Sequence, residues 1–434
     1  MEASNELFCP ECRTLIPAVR QKTPWCECGW SSAVDEWLTN EVPPSMRGGL
    51  RRHLRLAQWL AKADNRAMRL TKHRWGRLLW QMYLILTVLM CLPLVLIRMI
   101  VWVVPLGLLI YALISGARSI AFLLVLVIGG MILYWVLTSE ARSRNPMGID
   151  LSRQSEARLF QAIDHVAVQL QVPPLDRARV FLDAGVGVRN KLTWRVWPRL
   201  EPELALGLLA CNVLTVTQFQ AVIAHELAHL HKRDTLWLLF VSNSVDSLYD
   251  WIVTLSQLAR ASLQAHSLLG LLMWLLGSLV FLLLKPYFYF LVGVSRWAMR
   301  RQEYDADRAA AQVYGSEALL QAILTCAAAG IRFKEQFSTM VQRMQNRQDM
   351  RDLYAQFAEG WQRMPEGVRQ SIYAKAVASR RFIYDTHPSY QDRRRTLAEL
   401  ADPTDLAPDD HPANSLLADP SKLGQVLTDQ VLRP

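Results

Sequence analysis

The 434-residue chain is 52% hydrophobic and 20% charged, with a formal net charge of +10; it is long enough for two or three domains and a substantial core. Its mean hydropathy of +0.11 is high for a protein that meets only water, and its seven cysteines show no spacing of an oxidised disulfide framework. The basic excess is local: from Arg47 to Arg77 there are ten Lys or Arg against one acid, Asp64, with no recognised nucleic-acid module beside them, so nucleic acid is not an expected partner.

Residues 1–40 contain FCPECRTLIPAVRQKTPWCECGW. Cys9 and Cys12 form a C-x2-C knuckle, and Cys26 with Cys28 a C-x-C pair. Four thiolates enclose a tetrahedral zinc without an open position, so a structural zinc ribbon is expected. Its metal would supply the folding energy that so short a segment lacks. The segment is polar, with no early apolar stretch, and is not read as a signal peptide. Cys91, Cys211 and Cys326 are expected to be packed as small apolar residues.

Residues 41–76 read as a basic, helical linker, its charge a cytoplasmic flank of the membrane segment that follows. In that segment, 77–140, the only charges between Arg77 and Glu140 are Arg98 and Arg118. The runs LLWQMYLILTVLMCLPLVLI and AFLLVLVIGGMILYWVL approach the roughly 20 apolar residues that a spanning helix needs. Two long helices or three minimal ones fit. Basic flanks on both sides, ending with Arg142, Arg144 and Arg153, favour two crossings with both ends cytoplasmic.

Residues 150–235 read as a soluble segment. LSRQSEARLFQAIDHVAVQL sets Leu159, Phe160, Ile163, Val166, Ala167 and Leu170 at helical spacing, and Pro173-Pro174 stops it. His165 on this helix is an ordinary core or surface histidine. ARVFL (178–182) and ELALGLL (203–209) read as short strands, and Thr217 as the N-cap of the next helix. The ELALGLL strand is expected to present an exposed edge to an extended peptide.

Residues 236–299 read as a second hydrophobic hairpin. The run 268–284 is long enough to cross once, with 236–258 as its partner, although that partner carries Asp246 and Asp250. Residues 300–400 follow, opening on a polar helix (SRWAMRRQEYDADRAAAQVYG, 295–315) and continuing as helical sequence to 380. The last segment, 401–434, is acidic and Pro-rich and is expected to be a mobile tail.

Chemistry concentrates in VIAHELAHLHKRD (222–234). His225 and His229 are four apart, so on a helix both imidazoles project from one face toward a single point. Glu226 then stands beside a metal rather than on it, placed to take a proton from the attacking water. His231 points away and is not expected to be a ligand. A catalytic zinc site needs a third protein ligand; the candidate is Glu303 in RRQEYDADRAAA. Asp307, one turn on, shares its face and can accept the N–H of a ligating histidine.

These motifs together resemble the membrane gluzincin peptidases that include the heat-shock protease HtpX and the CAAX prenyl endopeptidase. HELAH (225–229), Glu303 with Asp307, and the element from His387-Pro388 to Arg393 occur in that family's order, from about Gln154 to Arg395. The resemblance implies a zinc metalloendopeptidase in which His225, His229 and Glu303 bind zinc and Glu226 is the general base. His387 and Arg393 are then assigned to the oxyanion or the substrate. His411-Pro412 lacks the matching arginine and is read as tail. The family's cleft-lining Asn-Ala-Phe-like segment corresponds here to AGVGVRN (184–190), and the cysteine ribbon has no counterpart in the common pattern.

The expected fold is mainly α with a small antiparallel sheet (α+β), an integral membrane metallopeptidase of the zincin type with an N-terminal zinc ribbon. Two zinc ions, one catalytic and one structural, protein or peptide substrates, and the lipid bilayer are its expected partners. The expected location is a bacterial inner membrane, crossed several times, with the active site cytoplasmic. Two other readings compete. One is a non-enzymatic membrane scaffold that recruits partners through the ribbon, against which the intact Glu226 argues. The other is a nucleic-acid-linked regulator, which salt-dependent binding by residues 1–76 would reveal.

Overall fold

The computed structural model describes residues 148–194, 198–230, 235–264, 267–346, 352–379, 387–398, 400 and 408–432, together with 81–94 and short pieces among the first 111 residues. Cys9, Cys12, Cys26 and Cys28, most of the basic linker, most of the first hydrophobic segment and His231 lie outside the described residues. Near the N-terminus β1 (Leu7–Phe8) pairs antiparallel with β2 (Leu15–Ile16). The chain divides into two units, one containing 147–232 and 299–434, the other 70–146 and 233–298.

The first unit is helical around one four-stranded sheet of order β3-β4-β6-β5. β3 (Ile149–Leu151) pairs antiparallel with β4 (Ala178–Phe181), and β5 (Val186–Trp194) pairs antiparallel with β6 (Pro198–Gly207). The sheet is mixed rather than antiparallel. After β5 runs outward, β6 returns in the direction of β4 and inserts between the two, pairing parallel with β4. The ELALGLL strand is therefore an inner strand, and the edge belongs to β5, contrary to expectation. ELALGLL also stops being a strand at Gly207, where the Leu208–Val213 helix begins. A close crossing needs glycine there: a Cβ on Gly207 would lie 2.5 Å from the Asp183 carbonyl oxygen.

The Ala157–Gln169 helix buries Leu159, Phe160, Ala162, Ile163, Val166 and Ala167, the stripe its spacing predicts, and leaves His165 exposed. The Val216–Ala228 helix packs Phe219, Ile223 and Leu227 into the same core, opposite Leu204 and Leu206 of β6. Its N-cap is Thr215, in a reciprocal capping box with Gln218, and not Thr217. Thr217 instead accepts the Asp409 N–H at 2.7 Å and donates to the Asp409 carbonyl at 3.2 Å. Residues 408–432 are thus packed, not a loose tail. Val216 N–H donates to the His411 carbonyl and Ala413 N–H to the Leu214 carbonyl. The Pro420–Leu432 helix buries Leu427 and Thr428. Cys211 is buried in this core, with Cys326 half-buried beside it.

In the second unit the Gln81–Leu94 helix, the Thr235–Gln264 helix and the first part of the Leu268–Tyr314 helix share a core of Cys91, Leu94, Val241, Val245, Leu248, Leu291 and Val292. Tyr249 and Phe288 meet at 6.1 Å between ring centroids, and a Cβ on Gly277 would lie 3.6 Å from that of Ala259, so the two long helices run antiparallel. Leu271, Leu275, Leu279 and Leu282 face outward, more than half exposed, as do Met82 and Ile85. Among the described residues one helix, Gly270–Tyr314, is long and apolar enough to cross a membrane. The polar segment 295–315 is not a separate helix. It continues the apolar one without a break through Pro286, for 47 residues, and ends at Gly315 with φ +86°, a backbone conformation glycine adopts at low cost.

Candidate metal centre and active site

His225 lies in the last turn of the Val216–Ala228 helix, and His229 closes it. Their rings stand 5.0 Å apart and nearly perpendicular. Glu303 comes from the long Leu268–Tyr314 helix. Its Oε2 is 3.4 Å from His225 Nε2 and its Oε1 is 3.7 Å from His229 Nε2. One ligand atom from each of the three residues lies within 4.8 Å of the others. The structure therefore brings together the two histidines paired by their spacing and Glu303, the candidate third ligand.

The surroundings fit a zinc ion. Ligands about 2.1 Å from a tetrahedral zinc stand about 3.4 Å apart, close to the distances found. His225 Nδ1 faces Asp307 Oδ1 at 3.0 Å, which leaves Nε2 toward Glu303. Asp307 is fully buried and on the same helical face as Glu303, as its spacing implied. Once His225 gives up its proton, two buried carboxylates against one guanidinium, Arg393, leave a net negative pocket that favours a cation. Burial disfavours a proton on His225, but Asp307 and Glu303 outweigh it and raise its pKa to about 10. That proton must leave when a metal binds. Burial and the neighbouring His225 lower His229 to about 4, so it need not lose a proton in order to ligate.

Glu226 is held apart from the ligands. Its Oε2 accepts the backbone N–H of Val188, on edge strand β5, at 3.1 Å. Burial raises its pKa above the ordinary carboxylate value, which suits a group that must pick up a proton near neutral pH. Val188 lies in the AGVGVRN stretch (184–190) that the resemblance set along the cleft, but its hydrogen bond to Glu226 was not legible, because a main-chain donor leaves no residue signature.

His387 and Arg393 also reach the site, by different routes. His387 Nδ1 lies 2.9 Å from Glu303 Oε2, with its side chain 54% exposed. Arg393 is 3% exposed; its Nη2 donates to Glu303 Oε2 at 2.6 Å and its Nη1 to Asp307 Oδ1. Sequence reasoning set both residues on the substrate. The structure instead places Arg393 behind the ligands, gripping two carboxylates. Ser389 caps the Tyr390–Leu397 helix that carries it. Residues 204–401, from within β6 to just past this helix, match the family model described as Peptidase family M48.

Proposed function

We propose that this chain, whose residues 204–401 form a peptidase family M48 domain, is a membrane-bound endopeptidase that cuts extended segments of membrane or misfolded proteins. The domain is that of a zinc metallopeptidase, with His225, His229 and Glu303 as the group that can hold the metal. Zinc bound by three protein ligands supplies a Lewis acid for the scissile carbonyl and brings water's pKa toward ~7.

The chain's own residues supply the rest. Glu226, fixed by the Val188 amide, accepts the proton of the attacking water and delivers it to the leaving amine. Asp307 fixes which nitrogen of His225 faces the ligand point. Arg393 locks the Glu303 carboxylate in place. His387, half exposed beside Glu303, is assigned to the substrate carbonyl as it turns into an oxyanion. The edge of β5 pairs with an extended peptide, which gives affinity with little demand on sequence.

The outward apolar faces of the Gln81–Leu94 and Leu268–Tyr314 helices support a bilayer location. The antiparallel pairing of Thr235–Gln264 with the latter supports a spanning hairpin. A second, structural zinc is assigned to Cys9, Cys12, Cys26 and Cys28. The observation that carries the function is that Glu226 adjoins the three ligands while its carboxylate is held by a backbone amide. Glu226→Gln is expected to keep its catalytic zinc and to lose proteolysis of an unfolded protein by at least ~100-fold. Zinc content and turnover are measured on the same preparations, and undiminished turnover sinks the assignment.

A further inference from the structure

β5 lies outside the matched segment, and its backbone carries information of its own. Two bonds fix which of its peptide groups face which way. Gly207 N–H donates to the Gly185 carbonyl at 2.6 Å, and the register pairs Val186 with Leu206 and Gly187 with Ala205. Odd-numbered residues therefore bond toward β6. Val188 N–H points the other way, to Glu226 Oε2. By alternation, Asn190, Leu192 and Trp194 share the outward side with Val186 and Val188.

From Val188, beside the general base, the strand runs on to Trp194, six residues and about 20 Å further. In the other direction it ends at Val186, two residues away. Val188 already spends its N–H on Glu226. The outward-facing peptide groups beyond Val188 are thus concentrated on one arm, at Asn190, Leu192 and Trp194.

We infer that the substrate site is asymmetric: a productive substrate is extended for about six residues on one side of the scissile bond and needs only about two on the other. This selects unfolded or loop segments with one long free arm and disfavours short peptides and folded tips. The inference rests on the peptidase reading above and specifies its substrate.

The test uses the purified full chain in lipid nanodiscs and a quenched fluorogenic peptide long enough to be cut, with its cleavage point mapped. The peptide is then truncated one residue at a time from each end. On one arm kcat/KM is expected to fall about tenfold between six and two residues, as paired backbone bonds are lost. On the other arm it stays flat down to two residues. N-methylation of single amides along the long arm should lower cleavage at every second position. Asn190→Pro removes an outward N–H and leaves the β6 ladder intact, a replacement that edge strands tolerate. Its long-to-short kcat/KM ratio should collapse toward one, while Asn190→Ala, which keeps the amide, retains the ratio. The N-methyl series needs only the unaltered chain, so it decides even if the proline variant fails to fold. Cleavage that is equally sensitive, or equally indifferent, to truncation of both arms overturns the inference alone. Failure to cut even the longest peptide overturns the peptidase reading and this inference with it.

Discussion

Arg393 shows what a buried residue can do that its motif does not reveal. Burying a guanidinium is costly unless it is paired with good geometry, and here its two Nη atoms meet two different carboxylates, Glu303 and Asp307. Those carboxylates are the proposed third metal ligand and the group that faces His225 Nδ1, so the arginine holds both. Loss of such a supporting contact typically costs 10–100-fold in metal affinity. Arg393→Ala is therefore expected to lose zinc about 10–100-fold more readily to a competing chelator. Arg393→Lys, which keeps the charge and loses the fork, should fall between the alanine variant and the parent. Normal zinc affinity with a reduced kcat in Arg393→Ala would restore the arginine to the substrate side, where its motif placed it.

At the scale of elements, the histidine helix is held at its start by the chain's last segment. The first turn of any helix leaves N–H groups without partners. Here Gln218 N–H goes to the Thr215 side chain, while those of Val216 and Thr217 go to the His411 and Asp409 carbonyls. A segment whose composition reads as disordered is thereby built into the peptidase unit. Two of its six leucines, Leu417 and Leu427, are 5% and 1% exposed. Leu427→Ala should destabilise this unit by about 2–5 kcal/mol, the usual cost of a buried leucine. Its neighbour Val426, 41% exposed, should tolerate alanine within about 0.5 kcal/mol. Denaturant unfolding followed by zinc release compares them; equal, small effects would mean that the segment is dispensable.

For the whole molecule, the shared site constrains topology. His229 and Glu303 approach within 3.7 Å, so the chain between them crosses a bilayer an even number of times. The outward-facing leucines and Glu303 belong to the same Leu268–Tyr314 helix. From the positive flanks around residues 77–140 we propose that both ends of that segment are cytoplasmic. Reporters fused after Arg153 and after Arg308 are therefore expected to read cytoplasmic together. Opposite sides are incompatible with one zinc site and would end the reading.

The sequence by itself determined the reacting groups. Spacing of four on a helix puts His225 and His229 on one face, and Glu303 with Asp307 on another, because side-chain direction in a helix follows from local geometry alone. It also determined the buried stripe of Ala157–Gln169, since hydrophobic periodicity is equally local. Everything that depended on which main-chain groups meet was decided only by the tertiary structure. ELALGLL looks like an edge until β5, a strand with a polar and glycine-bearing sequence, folds back to cover it. Thr217 looks like a cap as well as Thr215 does, until Asp409 arrives from 192 residues away. Backbone donors and acceptors are the same at every position but proline, so their partners carry no signature in the sequence. Long-range pairing chooses them, and in this protein that choice fixed the edge strand, the hold on Glu226 and the arm along which a substrate can lie.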